Sequence, residues 1–243
     1  MTNGVHTDTE GDILAIRRSE QYQTVDELVE KSQPNSVYYT LLLLSAFIIT
    51  AGILVNNAAI VIGGMLLTPL LTPVLFVALG ITSGELSSIR GALYLIGKSA
   101  IIIIVSGFVL ALVFGASNTV FVVDDSVRTA ALYFLVAVSA GVAGTFAWAR
   151  KDVLDIIPGV AIAVSIVPPL SLIGIGIATA DFGLARFNFL IFTFNMLGII
   201  AGSLVVFSLL QFSKAKGEVH EKVMEAEHKH EEKERLERES HLG

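Results

Sequence analysis

The strongest constraint on this chain is where its charges are missing. Residues 37–212 hold six basic residues (Arg90, Lys98, Arg128, Arg150, Lys151, Arg186) and six acidic ones (Glu85, Asp124, Asp125, Asp152, Asp155, Asp181). All but Lys98 fall at the edges of, or between, six apolar stretches: about 37–55, 58–80, 91–114, 129–149, 157–179 and 187–212. About 20 apolar residues cross a hydrocarbon core of roughly 30 Å as a helix. None of the stretches alternates with the period of a strand, so helices are expected rather than a barrel. A hydrophobic share of 53% and a mean hydropathy of +0.73 agree with an integral membrane protein.

The net charge of −6 arises wholly in residues 1–36 and 213–243. That acidity argues against nucleic acid as a partner. Cysteine is absent, which removes disulfides, thiolate nucleophiles and cysteine-ligated metals. The first 36 residues are polar and acidic, so no cleavable signal peptide is expected and the lipid bilayer is entered through the first span. Basic residues precede span 1 (Arg17, Arg18, Lys31), flank the 2–3 connection (Arg90, Lys98), form the 4–5 connection (Arg150, Lys151) and follow span 6 (Lys214, Lys216). The opposite side has only Arg128 and Arg186, so both termini are expected in the cytoplasm.

The ends read differently. TVDE (Thr24 to Glu27) has the form of a capping box, predicting a short amphipathic helix that stops before Pro34. Its apolar side, Val25, Leu28 and Val29, suits a membrane surface or a partner. The tail from Glu218 is rich in i,i+4 pairs such as Glu218–Lys222 and Glu231–Arg235. Two readings stand: a solvated helix, or a coil that pairs through Phe212, Val219, Val223 and Ala226.

An internal repeat organises the middle. AIVIGGMLLTPLLTPVLFVALG (59–80) parallels GVAIAVSIVPPLSLIGIGIATAD (159–181), and AFIITAG (46–52) parallels AVSAGVAG (137–144). Each copy runs through a small apolar stretch, a proline pair, leucines, glycine and an acidic turn at Glu85 or Asp181. With three spans per copy, the two copies must lie in opposite orientations. Inverted repeats with matched broken helices are a secondary-transporter pattern, in which unwound backbone binds the solute. The plainer reading is that prolines in membrane helices serve packing as kinks.

No histidine lies within a span, and no carboxylate lies deep in one, so a general base is lacking and an enzyme is not expected. No cofactor or resident metal is expected either. Lys98, near the end of span 3, reads as a snorkelling lysine. The remaining polar groups are Asn56 and Asn57, Thr68 and Thr72 before the first prolines, Ser165 and Ser171 about the second pair, and Asn188 and Asn195 in span 6. Such groups commonly bond between membrane helices. Collected around freed carbonyls, Asn56, Thr68, Thr72, Ser165, Ser171 and Asn195 would instead line a binding site for a neutral solute, a small cation or an anion.

AGILVNNAAIVIGGMLLTPLLTPVL, DIIPGVAIAVSIVPPLSLIGIGIATADF and FNMLGIIAG together resemble the prokaryotic membrane family called domain of unknown function 389, over roughly residues 37–205. The resemblance marks Asn56, Gly63, Met65, Pro69, Pro73, Pro158, Gly159, Pro168, Pro169, Gly174, Asp181 and Asn195 as signature positions. It implies a prokaryotic cell-membrane protein and brings no substrate. Many members carry a larger cytoplasmic domain before the membrane part, where this chain has a short leader.

The expected fold is an all-α membrane protein of six transmembrane helices. They form two inverted three-helix repeats (about 37–114 and 129–212), between a leader (1–36) and a charged tail (213–243). Helices 2 and 5 are expected to break at Gly63, Gly64, Pro69 and Pro73, and at Pro158, Gly159, Pro168 and Pro169. The expected function is to bind and move a small solute or ion where those helices cross. The alternative is a scaffold or sensor recruiting partners through its ends. Small residues in GVAG (141–144), GIGIA (174–178) and GIIAG (198–202) suggest close helix contacts within a subunit or a homo-oligomer.

Overall fold

The computed structural model describes residues 18–116, 127–149 and 156–212, with isolated tail positions; of residues 156–165 it describes the backbone alone. The described residues are helical throughout, with no strand. In chain order they form α1 (Arg18–Lys31), α2 (Ser36–Leu54), α3 (Ala58–Met65), α4 (Leu71–Ser83), α5 (Leu86–Phe114), α6 (Val127–Ala149), α7 (Ile156–Ala178) and α8 (Phe182–Leu209). Four are long and apolar enough to cross a membrane: Ser36–Leu54, Ile89–Phe114, Arg128–Ala149 and Phe182–Leu209. Two shorter apolar segments, Leu71–Ser83 and Ile166–Ala178, accompany them.

Only one of the two expected breaks is present. Between α3 and α4 the helix unwinds over residues 66–70: Leu67 N–H turns back to the Gly64 carbonyl (3.1 Å) and Thr68 N–H to that of Met65 (3.2 Å). Pro69 follows and has no N–H to continue the ladder. Pro73 is the third residue of α4, where an N–H would have no helical partner anyway, so it starts a helix rather than breaking one. Pro158 is the third described residue of α7. Pro168 and Pro169 lie inside a helix that runs unbroken from Ile156 to Ala178. The expected break of helix 5 is therefore replaced by a continuous helix lacking two bonds, those to the Val164 and Ser165 carbonyls. Gly63 and Gly64 also sit inside a helix, α3.

α7 tolerates its prolines because it is central. It packs on α5, α8 and α6 and touches α2, α3 and α4. Ile166, Val167, Leu170, Leu172, Ile173 and Ile175 are buried around the prolines. α5 reaches it closely: a Cβ on Gly107 would lie 2.5 Å from the Ser171 carbonyl oxygen, and one on Gly174 would overlap that of Ile104. α6 and α8 meet in the same way at Gly141, Gly198 and Gly202. Described glycines of all three small-residue motifs thus serve contacts within the subunit.

Three corners share one design. In each, the N–H five residues after a glycine returns to that glycine's carbonyl: Asn57 to Gly52 (2.8 Å), Glu85 to Gly80 (2.9 Å) and Asp181 to Gly176 (2.8 Å). The residue before is left-handed: Asn56 (φ 53°), Gly84 (75°) and Ala180 (56°). This is the Schellman helix ending. The next helix starts at once, and the Asn57 and Asp181 side chains accept from its first N–H groups. The glycine is needed for closeness, since its Cβ would meet Val61, Ile89 or Ala185 at 2.8–2.9 Å, each nine residues on.

α1 departs from its expectation in two ways. It begins at least six residues before Thr24, which is buried inside the helix rather than capping it. Its apolar side faces neither lipid nor a partner: Val25, Leu28 and Val29 are buried against the bundle, beside α4 and α6. Each such burial contributes about 1.5–3 kcal/mol. Polar contacts fix the register. Gln21 Nε2 donates to the Leu210 carbonyl (2.9 Å), Thr72 Oγ1 donates to that of Lys31 (3.1 Å), and the Lys31 ammonium lies 4.9 Å from the Trp148 ring centre. From the tail, Lys222 pairs with Asp26 at 3.0 Å. That carboxylate holds the exposed ammonium above its ordinary pKa. Of the tail's other expected features, Glu218, Val219, Val223, Ala226, Glu231 and Arg235 lie outside the described residues.

Candidate functional site

A cavity of about 260 Å³ opens between α3 and the paired prolines of α7. Its walls come from five helices: Ile53 of α2; Ala58, Val61, Ile62 and Met65 of α3; Tyr133 of α6; Pro168, Pro169 and Leu172 of α7; Asn188 and Ile191 of α8. It therefore lies where the second and fifth apolar stretches meet. The local reasons are legible. The first corner folds α3 back against α2 through Gly52 and Gly64, whose Cβ positions are taken by Val61 and Ile49. α3 ends at Met65, so nothing extends it past the prolines. The proline rings leave no N–H on that side of α7.

The described lining is mostly apolar and carries no charge. Its polar groups are the Tyr133 hydroxyl and the Asn188 amide. Asn188 is 1% exposed, and its Nδ2 donates to the Leu184 carbonyl in its own helix (2.9 Å). That bond fixes the amide orientation, because Oδ1 placed there would face another acceptor. The described lining residues include no carboxylate, imidazole or ammonium, and no group of metal-ligating side chains occurs among the described residues.

Of the residues expected to bind solute, those whose side chains are described lie outside this cavity. Asn56 is exposed and forms the left-handed residue of the first corner. Thr68 Oγ1 reaches the Gly64 carbonyl at 3.5 Å, within the unwound segment. Thr72 clamps α1. Ser171 is fully buried at the α5–α7 contact, and its hydroxyl has no hydrogen-bond partner among the described residues. Asn195 is fully buried two turns below Asn188 on α8. The side chain of Ser165 lies outside the described residues, as does that of Pro158. None of the five described candidates lines this cavity. Pro168 and Pro169 do. Tyr133 was missed because a lone tyrosine near a span end reads as an interfacial aromatic. Asn188 was noted among the polar residues of span 6, and only the fold sets it apart from Asn195.

Lys98 behaves as a snorkelling lysine would: it is exposed, and its Nζ lies 4.7 Å from the Tyr39 ring centre. Below it, Ser99 donates to the Leu95 carbonyl, so the Tyr38 hydroxyl donates to Ser99 Oγ at 2.8 Å.

No solved structure matches the chain. A curated relative, an uncharacterized protein of Methanocaldococcus jannaschii, is 26% identical over 196 residues, which cover 79% of this chain and 58% of that one. The chain thus spans less than two-thirds of that relative's length. The model of the family described as domain of unknown function (DUF389) matches residues 65–201, more than half the chain and including α4 to α7 whole. With its proline-bearing second and fifth apolar segments inside or beside that match, this membrane-type helical chain belongs to the domain of unknown function 389 family.

Proposed function

We propose that the protein binds a small solute in the cavity between α3 and Pro168–Pro169 and moves it across the cell membrane. In this reading α3 and α4 together form one span and α7 another, giving six spans in two inverted repeats with both termini cytoplasmic. The cavity is the observation that carries it, because a tightly packed crossing would have favoured a scaffold. Two further features support the symmetry. The Gly80–Glu85 and Gly176–Asp181 corners share the same pair of backbone bonds, and they occupy the same place in each repeat. The third helix of each repeat also packs on the second segment of the other: α5 on α7, and α8 on α4. The scaffold reading loses ground at the N-terminal end, since the apolar side of α1 is used internally.

The test is flux in proteoliposomes across a panel of neutral solutes, cations and anions, with Pro168→Ala and Leu172→Trp beside the unaltered chain. Transport of one class, lost when Trp fills the cavity, is expected. No flux of any class, together with ligand binding unchanged by Leu172→Trp, would sink the proposal.

A further inference from the structure

The cavity's polar groups specify what it takes. Asn188 is buried, and its single hydrogen bond among the described residues uses Nδ2, so Oδ1 is left as an acceptor on the wall. Tyr133 adds a phenolic hydroxyl to the lining. On α7, Pro168 and Pro169 lack N–H groups, which leaves the Val164 and Ser165 carbonyls without their helical donors. One acceptor and one hydroxyl, Asn188 Oδ1 and that of Tyr133, therefore border a space otherwise walled by Ile53, Val61, Met65 and Ile191. An acceptor left dry in an apolar site is costly, and a ligand that donates to it removes that cost.

The absence of charge among the described lining residues narrows the ligand class. Among the described residues of the lining, an anion would find no cation, and a metal ion would find no carboxylate to offset its lost hydration. Size points the same way. An apolar cavity of about 150 Å³ accepts benzene, whereas this one holds about 260 Å³. We infer that the site selects a small neutral molecule with an apolar body and one hydrogen-bond donor, its hydroxyl or N–H directed at Asn188 Oδ1. This rests on the proposed binding role of the cavity, but not on transport.

The chain lacks cysteine, which allows a clean probe. Ala58 is exposed and lines the cavity, so Ala58→Cys gives a single reporter thiol. The full chain in lipid nanodiscs is titrated with p-cresol and with p-xylene, which has a methyl in place of the hydroxyl. Affinity is read by calorimetry, and occupancy by slowed maleimide labelling of the reporter. The expected result is p-cresol bound at least about tenfold more tightly than p-xylene. In Asn188→Leu that ratio falls below about twofold while p-xylene still binds. Tyr133→Phe, which keeps shape, is the second variant should Asn188→Leu not fold, and it also lowers the ratio. Equal affinity for both probes, or an unchanged ratio in both variants, overturns the inference in favour of an apolar pocket for lipid tails. Labelling slowed by sodium chloride but not by choline chloride, with no p-cresol preference, overturns it in favour of a cation. Selective binding without flux of any solute leaves this site standing and removes the transport reading.

Discussion

The two proline-bearing segments have similar compositions and different outcomes. Residues 58–83 form two helices separated by an unwound stretch, whereas α7 runs through two adjacent prolines without interruption. Spacing supplies half of the difference. Pro69 and Pro73 are four apart, so the carbonyl that Pro73 leaves unpaired would be that of Pro69 itself. The chain resolves this by ending one helix and starting the next with Pro73 in its first turn. Adjacent prolines concentrate the defect at one point of a helix, where a single disturbed turn accommodates both. Packing supplies the rest. α7 is enclosed by neighbours that hold it helical. In α3, by contrast, Ala58, Ala59, Ile60, Ile62 and Gly63 are exposed, and Gly63 and Gly64 each lower helix propensity by about 1 kcal/mol. A defect is tolerated where the surroundings over-determine the backbone and becomes a break where they do not.

That account can be attacked first at the enclosure of α7. Gly174→Val places a side chain on the Ile104 carbonyl, which cannot move aside, and is expected to cost about 3 kcal/mol or more. Loss of monodisperse protein in detergent reports it. A well-folded Gly174→Val would mean that α5 does not hold α7. Next in size is a sign reversal between prolines. Pro168→Ala restores a helical bond and is expected to stabilise by about 1–3 kcal/mol. Pro73→Ala removes a preorganised first-turn residue and is expected to destabilise by about 0.4–1 kcal/mol. Thermal midpoints that moved in the same direction would refute the distinction drawn above.

The first turn of α4, just past the unwound segment, is also tied to α1 through Thr72. Thr72→Val is expected to cost about 1 kcal/mol. Faster hydrogen exchange across Arg18–Lys31, with α7 unaffected, would show that this bond anchors α1 locally. Gly63→Ala is smaller. Nothing lies within 4 Å of the added methyl, so α3 should gain about 0.5–1 kcal/mol. A loss instead would mean that α3 must flex or meet a partner there. The smallest effect concerns Lys222 and Asp26. The folded pKa of Lys222 is raised above 10.5, so its contribution is present below that value and is lost as pH rises through the folded value. Faster exchange of α1 amides is expected only in that alkaline range or at about 1 M salt, after correction for intrinsic rates.

Much of the architecture was legible because it rests on local chemistry. The apolar stretches, the acidic turns at Glu85 and Asp181 and the amphipathic side of α1 all appeared as patterns of neighbours in sequence. What that face packs against did not, since Val25 and Leu28 look alike whether they meet lipid or protein. Nor did the outcome at Pro168–Pro169, which depends on α5 approaching through Gly107 from far along the chain. The site was legible in its prolines and illegible in its polar groups. Thr68, Thr72 and Ser171 are near the prolines in sequence, yet the cavity draws Tyr133 and Asn188 from the other side of the bundle.

The three matched corners bear on how such a chain assembles. Each joins residues only nine positions apart, Gly52 to Val61, Gly80 to Ile89 and Gly176 to Ala185, so closing it sacrifices little chain entropy. The seams between α5 and α7 and between α6 and α8 join residues such as Gly107 with Ser171 and Gly141 with Ile199, and these contacts require distant segments to find one another. Local contacts form faster than distant ones. During synthesis the chain is thus biased to deliver closed hairpins, each with its connecting backbone already hydrogen-bonded, and to join them along the glycine seams afterwards.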